Sequence, residues 1–412
     1  MTEKITRLIC ELGIEKYILR EDIYKASELY FIKKTLDAKR KVSTRTCTLT
    51  LYRDFEADGA KFTGHAELTL GGGMSDEEIK KKILSGYDAA LYVKNPYYPL
   101  PQACRQSASC DDIDTDSAAL ACKQAIFSAD VREDSFINSC EIFAKYKKTR
   151  ITTSEGGDVS FCTSLVDGEI VAGSKFPEDS ELVELFEHST KELDELKSKS
   201  AQLLSDAAER ARAKKLCDVG QYDIILCSAY VREMLGYTLW RSKAENIYSG
   251  YSDASRGQVQ RGNIPDMTLV PTEAFSSEGV RMRELELCRD GEIKNITGNA
   301  RHCYYLDTPV TGSYTKIKAV AEGVAQNKLT EGKVLYIKSF SDFQFDPLDG
   351  YFGGEVRLAY LYDNGTRIPV TGFSVSGSYN DTCESFEYSE ESCSEYTYLG
   401  PAAMKIKNVS IS

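Results

Sequence analysis

Alternating polar and apolar runs, joined by two-residue turns that end in glycine, constrain this chain more than any other feature. TRTCTLTLYRDF and AKFTGHAELTL meet at Asp58-Gly59, where glycine accepts the positive φ that a tight hairpin demands. Asp167-Gly168, Asp290-Gly291, Asp349-Gly350 and Asn364-Gly365 repeat the turn signal farther along. SELYFIKKTL adds another strand-like run near the start, and Gly71-Gly72-Gly73 ends that sheet. A chain written this way builds antiparallel sheets.

Helical spacing interrupts the strands. Ile5, Leu8, Ile9 and Leu12 share a face of an N-terminal amphipathic helix. Ser75 and Glu78 form a capping box ahead of Ile79, Ile83, Tyr87 and Leu91, satisfying amides that a helix start leaves unpaired. A helix is expected around Ala118–Phe127, then strands near Phe136–Lys147 and Gly157–Val166. Leu182, Leu185, Leu193, Leu196, Leu203 and Ala207 predict one long helix from Ser180 to Lys215. YDIILC then reads as a buried strand and Ala229–Lys243 as a helix.

The expected fold class is α+β. Two αβ segments, 1–94 and 118–219, flank a proline-rich and acidic linker at 95–117. A strand-rich C-terminal domain, 220–412, has a curved sheet or barrel-like core. Within it LELCRDGEIKNITGN and LAYLYDNGTRIPVTGF resemble two copies of one hairpin unit. At 412 residues, more than one core is the natural expectation.

Composition excludes several function classes. No apolar run approaches the roughly 18–20 residues that cross a bilayer, and the charged N-terminus has no signal-peptide core. The expected location is the cytoplasm, with no membrane partner. A net charge of −12 opposes nucleic-acid binding, which needs a basic footprint. The short runs Lys80–Lys82 and Lys145–Lys148 read as solvated faces. Thirteen cysteines with no CxxC spacing read as mostly buried free thiols rather than a disulfide framework.

Common catalytic signatures fail. His65, His188 and His302 are dispersed, whereas a zinc helix carries its histidines close together; His188 reads as a surface residue. Asp112, Asp114 and Asp116 start like a calcium loop, but Ser117 and Lys123 stand where glycine and glutamate belong. GGGM has no lysine-serine or lysine-threonine continuation, and no GxSxG occurs.

The helix SAYVREMLGYTLWRSK, 228–243, stands apart. With the blocks IPDMTLVPTEAFSSEGVRMRELELCRDGEIKNITGNARH and KSFSDFQFDPLDGYFGGEVRLAYLYDNGTRIPVTGFSVSGS, it resembles the TldD/PmbA metalloprotease family, whose members also carry the label modulator of DNA gyrase. The likeness is firm over 222–378 and looser before it. Active members place His-Glu-x-x-x-His on this helix and a cysteine on the strand after the "DP-x-x-G" turn. Here the frame reads Arg232-Glu233-Met234-Leu235-Gly236-Tyr237, and the strand GGEVRLAYLY has no cysteine. A guanidinium has no lone pair to donate, and Tyr237 alone would make a poor zinc site. The expectation is therefore no metal and no cofactor, with Glu233 idle at the general-base position.

The resemblance implies a metal-less subunit of the PmbA (TldE) type. Such a subunit assembles with a zinc-bearing TldD-type partner, or with itself, around an extended peptide. Arg232, Tyr237, Asn299 and Arg301 are the expected binding residues. Two alternatives remain open: a peptidase with a relocated metal or a cysteine nucleophile, and a homodimeric peptide-binding protein.

Overall fold

A computed structural model describes all residues except 103, 111 and 189–192, which fall in the expected linker and the expected long helix. Helix α1 (Thr2–Glu11) precedes three long strands, β1 (Lys16–Ile32), β2 (Thr35–Ala57) and β3 (Ala60–Leu70), and helix α2 (Asp76–Ala89). Asp58 and Gly59 both take positive φ at the β2–β3 hairpin. Ser75 and Glu78 make both bonds of the capping box on α2. SELYFIKKTL is not one strand, because Lys33 at φ 54° turns the chain from β1 into β2.

Helix α3 (Thr115–Ser128) leads into β4 (Phe136–Thr153), β5 (Asp158–Ser174), β6 (Ser180–His188) and helix α4 (Asp194–Arg212). β1 pairs with β4 in antiparallel register from Ile18–Thr153 to Ile32–Ser139. Strands from either side of 95–117 thus form one sheet, in the order β3-β2-β1-β4-β5-β6. Within 95–117, Asn95–Pro96 pairs with β3 and Arg105–Ser107 with β5. Ile5, Leu8, Ile79 and Ile83 pack α1 and α2 beside Leu19, Leu49 and Leu51. Cys122, Ile126, Leu196 and Leu204 pack α3 and α4 over Ile142, Val166 and Ile170.

Three local expectations are corrected. The helix expected from Ser180 begins as strand β6: Leu182, Phe186 and His188 are buried while Glu181, Val183 and Leu185 face outward. That period of two fits a strand paired with β5. Asp167-Gly168 is no turn but lies within β5, opposite Phe143 and Ile142. His188 is buried at the end of β6, not a surface group. Among the cysteines, Cys110 and Cys162 form a disulfide; six of the eleven free ones are buried.

The C-terminal half holds β7 (Gly220–Cys227), helix α5 (Ser228–Arg241), β8 (Asp266–Val270), β9 (Leu285–Arg289), helix α6 (Ala300–Tyr305), β10 (Lys316–Val320), β11 (Val334–Phe340), β12 (Tyr351–Asp363), β13 (Phe373–Ser378) and β14 (Ala403–Ile411). β7 pairs with β11, β11 with β12, β12 with β13, β13 with β14, and β14 returns to β7. These five strands close a barrel-like ring over Leu226, Leu335, Val356, Phe373 and Met404, and the α+β class with its barrel-like core is the observed one. β8, β9 and β10 join a second, six-stranded sheet. The two resembling hairpins therefore belong to different sheets. Asp206 of α4 ties the halves together, accepting from Tyr360 Oη at 2.9 Å and pairing with Lys338 Nζ at 3.3 Å. Among the described residues no helix is long and apolar enough to cross a membrane.

Gly168 permits a close strand crossing: a Cβ there would lie 1.9 Å from Glu141 O and 2.9 Å from the Phe186 ring. Gly168→Ala is expected to lower unfolding free energy by about 3 kcal/mol, since β4 and Phe186 must shift. A urea midpoint unchanged from the parent would contradict this crossing.

Candidate functional site

Helix α5 follows β7 without a loop, so the ring fixes where its first turns sit. Val231, Met234 and Leu235 enter the core, leaving Arg232, Glu233 and Gly236 on the opposite side. Arg232 Nη1 and Glu233 Oε1 form an ion pair. Tyr237 is buried, its ring 4.7 Å from that of Tyr379 and 5.3 Å from that of Phe345. Arg241 lies over the same ring. Tyr237 is thus a member of an aromatic core, and Glu233 has a cation for a partner.

Arg232, Glu233 and Tyr237 line a pocket of about 280 Å³ with Lys243, Tyr314 and Thr315. The last three residues also line a larger cleft of about 580 Å³, reached by Asn299, His302, Glu278, Glu273 and Lys147. The two spaces therefore share a wall. Lys147, from the sheet of the N-terminal half, pairs with Glu273 at 2.7 Å across this cleft. Glu278 accepts from Ala300 N at 2.8 Å, an amide that a helix start leaves free. Burial pushes the Glu278 carboxyl upward, while that amide and Arg301 pull it back.

Asn299 caps α6, its Oδ1 accepting from His302 N at 3.1 Å, and it faces the cleft. Arg301 does not line the cleft. It spans the junction between the halves, donating to Asn95 Oδ1 at 2.9 Å and to His302 Nε2 at 3.0 Å. Asn95 Nδ2 in turn donates to Thr63 O and His65 Nδ1, both at 3.2 Å. Folding thus gathers His65 and His302 around one arginine.

Because a guanidinium only donates, His302 Nε2 must accept, and its proton sits on Nδ1, toward Asn299 Oδ1 at 3.1 Å. The same logic makes His65 Nδ1 an acceptor. Both imidazoles are neutral in this arrangement. Burial, then the charge of Arg301, holds both below their ordinary 6.5.

The donor set does not fit zinc. The guanidinium of Arg232 is already paired and offers no lone pair. Tyr237 is packed among rings, and β12 carries no cysteine. Among the described residues no three His, Cys, Asp or Glu side chains cluster as a metal set.

Sequence reasoning singled out the frame helix and Asn299 but missed Lys147, Lys243, Glu278 and Tyr314. The EGV turn was a visible signal for Glu278. Nothing local marked Lys147, which reads as one lysine in a solvated run.

Residues 219–412 match the family described as the PmbA/TldA metallopeptidase C-terminal domain, which places this part of the chain in that domain family. No curated protein matches. Three solved structures share the fold over nearly the whole length. TldE from Thermococcus kodakarensis has a TM-score of 0.79 at 13% identity, covering 99% of this chain and 100% of its own. A candidate modulator of DNA gyrase from Thermotoga maritima has a TM-score of 0.78 at 14% identity, covering 100% and 99%. Another from Bacteroides thetaiotaomicron has a TM-score of 0.77 at 12% identity, covering 100% and 98%.

Both histidines bind protons more weakly folded than unfolded, so their contribution to stability is complete above about pH 6.5 and lost as pH falls below it. With three histidines in the chain, NMR titration resolves them. Arg301→Met is expected to raise the pKa of both His65 and His302 and to cost about 1–3 kcal/mol. Unmoved titrations in that variant would contradict the junction.

Proposed function

We propose that this chain is the metal-free subunit of a two-component cytoplasmic peptidase: it forms one wall of a peptide-binding chamber, and a zinc-bearing TldD-type subunit supplies hydrolysis. The observation that carries this reading is the ion pair of Arg232 and Glu233 on the frame helix. It joins the would-be general base to a cation at the position where active members hold a metal ligand. A glutamate without a metal-bound water beside it has no proton to take.

The neighbouring cleft favours binding over chemistry. Lys147 and Lys243 offer cations, Glu273 and Glu278 offer carboxyl groups, and Asn299 and Tyr314 offer neutral polar contacts. Such a lining holds an extended peptide through its backbone and both kinds of charge. A cysteine nucleophile has little support here. Burial pushes the Cys227 and Cys393 thiols up to about 11, away from the thiolate that attacks. The likeness to an archaeal TldE is in keeping with this assignment.

The test is to mix the purified chain with a family member bearing His-Glu-x-x-x-His and to follow cleavage of an extended peptide. The chain alone is expected to be inactive, and the mixture active. Glu233→Gln should leave the mixture's rate within about twofold. Asn299→Ala should lower kcat/KM by about tenfold, equivalent to about 1.4 kcal/mol. Hydrolysis by the chain alone, abolished by Glu233→Gln, would overturn the proposal.

A further inference from the structure

A second charged groove lies at the other end of the interface between the halves. Just past the end of α4, Lys214 and Lys215 pair in parallel with Val370 and Thr371 of the C-terminal sheet, and Leu216 N donates to Thr371 O at 3.0 Å. This pins the helix end against the strand Thr366–Thr371, which pairs with β12. A groove of about 820 Å³ opens there, with Arg210 on the helix side and Arg357 on the β12 side.

Helix polarity accounts for some of this charge. Arg210 and Arg212 occupy the last turn of α4, where cations offset the unpaired carbonyls. Arg212 is also neutralised by Asp134 at 3.1 Å and Glu209 at 3.8 Å. Helix polarity does not account for Arg357, which comes from another sheet and lines the same groove. Among the described residues its side chain donates to Ser341 Oγ at 3.2 Å.

Among the described residues, Arg210, Lys214, Lys215 and Arg357 form no ion pair within 4.0 Å. Arg212 also lines the groove but is held by Asp134 and Glu209 outside it; against the other four positive charges stand two carboxylates, Glu178 and Glu355, leaving +2 (4 − 2) in a protein of net charge −12. Two half-buried guanidiniums beside one space repel each other unless an anion lies between them. The forked donors of arginine match tetrahedral oxyanions. Burial, followed by the charge of Arg357, lowers the Arg210 guanidinium from its ordinary range, and Glu178 and Glu355 act in the other direction.

We infer that this groove binds a phosphate-class oxyanion, either free or as the terminal group of a small polyphosphate. The site is separate from the frame helix and independent of peptide handling.

Calorimetric titration of the full chain with inorganic phosphate and with pyrophosphate at low ionic strength tests it. Saturable 1:1 binding is expected. Comparable affinity for the two probes supports the free anion, and pyrophosphate tighter by about tenfold supports a polyphosphate terminus. Arg210→Gln and Arg357→Gln should each weaken binding by about tenfold, while Arg212→Gln changes it by less than about twofold. Circular dichroism checks folding. If a glutamine variant fails to fold, Arg357→Lys decides: a several-fold loss supports the site, and unchanged affinity overturns it. Non-saturable heats with both probes, or equal losses in Arg212→Gln and Arg357→Gln, would also overturn it.

Discussion

A sheet closes into a barrel only when its first and last strands find each other, and here Gly220–Cys227 meets Ala403–Ile411 near the chain's end. That pairing joins residues almost two hundred positions apart and removes two sheet edges at once. It also determines where helix 228–241 stands, because the helix leaves the closing strand without a loop. Val231, Met234 and Leu235 then bury one face. Arg232 and Glu233 are left at a pocket whose far wall, Phe345 and Pro347, belongs to the turn before strand 351–363.

The union of the two halves depends on polar contacts as much as apolar ones. Arg301 reaches Asn95 and, through it, His65, while the same guanidinium sets the tautomer of His302. Asp206 performs a comparable task at the opposite end with Lys338 and Tyr360. A buried polar group left without its partner costs more than the pair contributes. Each network therefore rewards a single docking of the halves, and the clefts between them have defined shapes.

What was legible in the residues follows physical range. Hairpins at Asp58-Gly59, Asp290-Gly291 and Asn364-Gly365 were readable because the turn residues themselves adopt positive φ. The capping box at Ser75 and the helix at 228–241 were readable for the same local reason. Ser180–His188 misled, because Leu182 and Leu185 fit a helical stripe as easily as opposite faces of a strand. Gly168 looked like a turn, yet it serves a close strand approach that only the fold reveals. The meeting of His65 with His302, and of Lys147 with Glu273, required pairings across more than a hundred residues. No local pattern encodes those. The frame of Arg232, Glu233 and Tyr237 was visible as a departure from a family pattern, and the structure adds what the departed residues now touch.

The account turns on whether those residues can still hold a metal. The most direct measurement is zinc content by X-ray fluorescence and zinc-edge anomalous scattering on crystals of the chain, purified with zinc in the medium. The account predicts well below one zinc per chain and no anomalous peak beside Arg232, Glu233 and Tyr237. About one tightly held zinc at that place would contradict it.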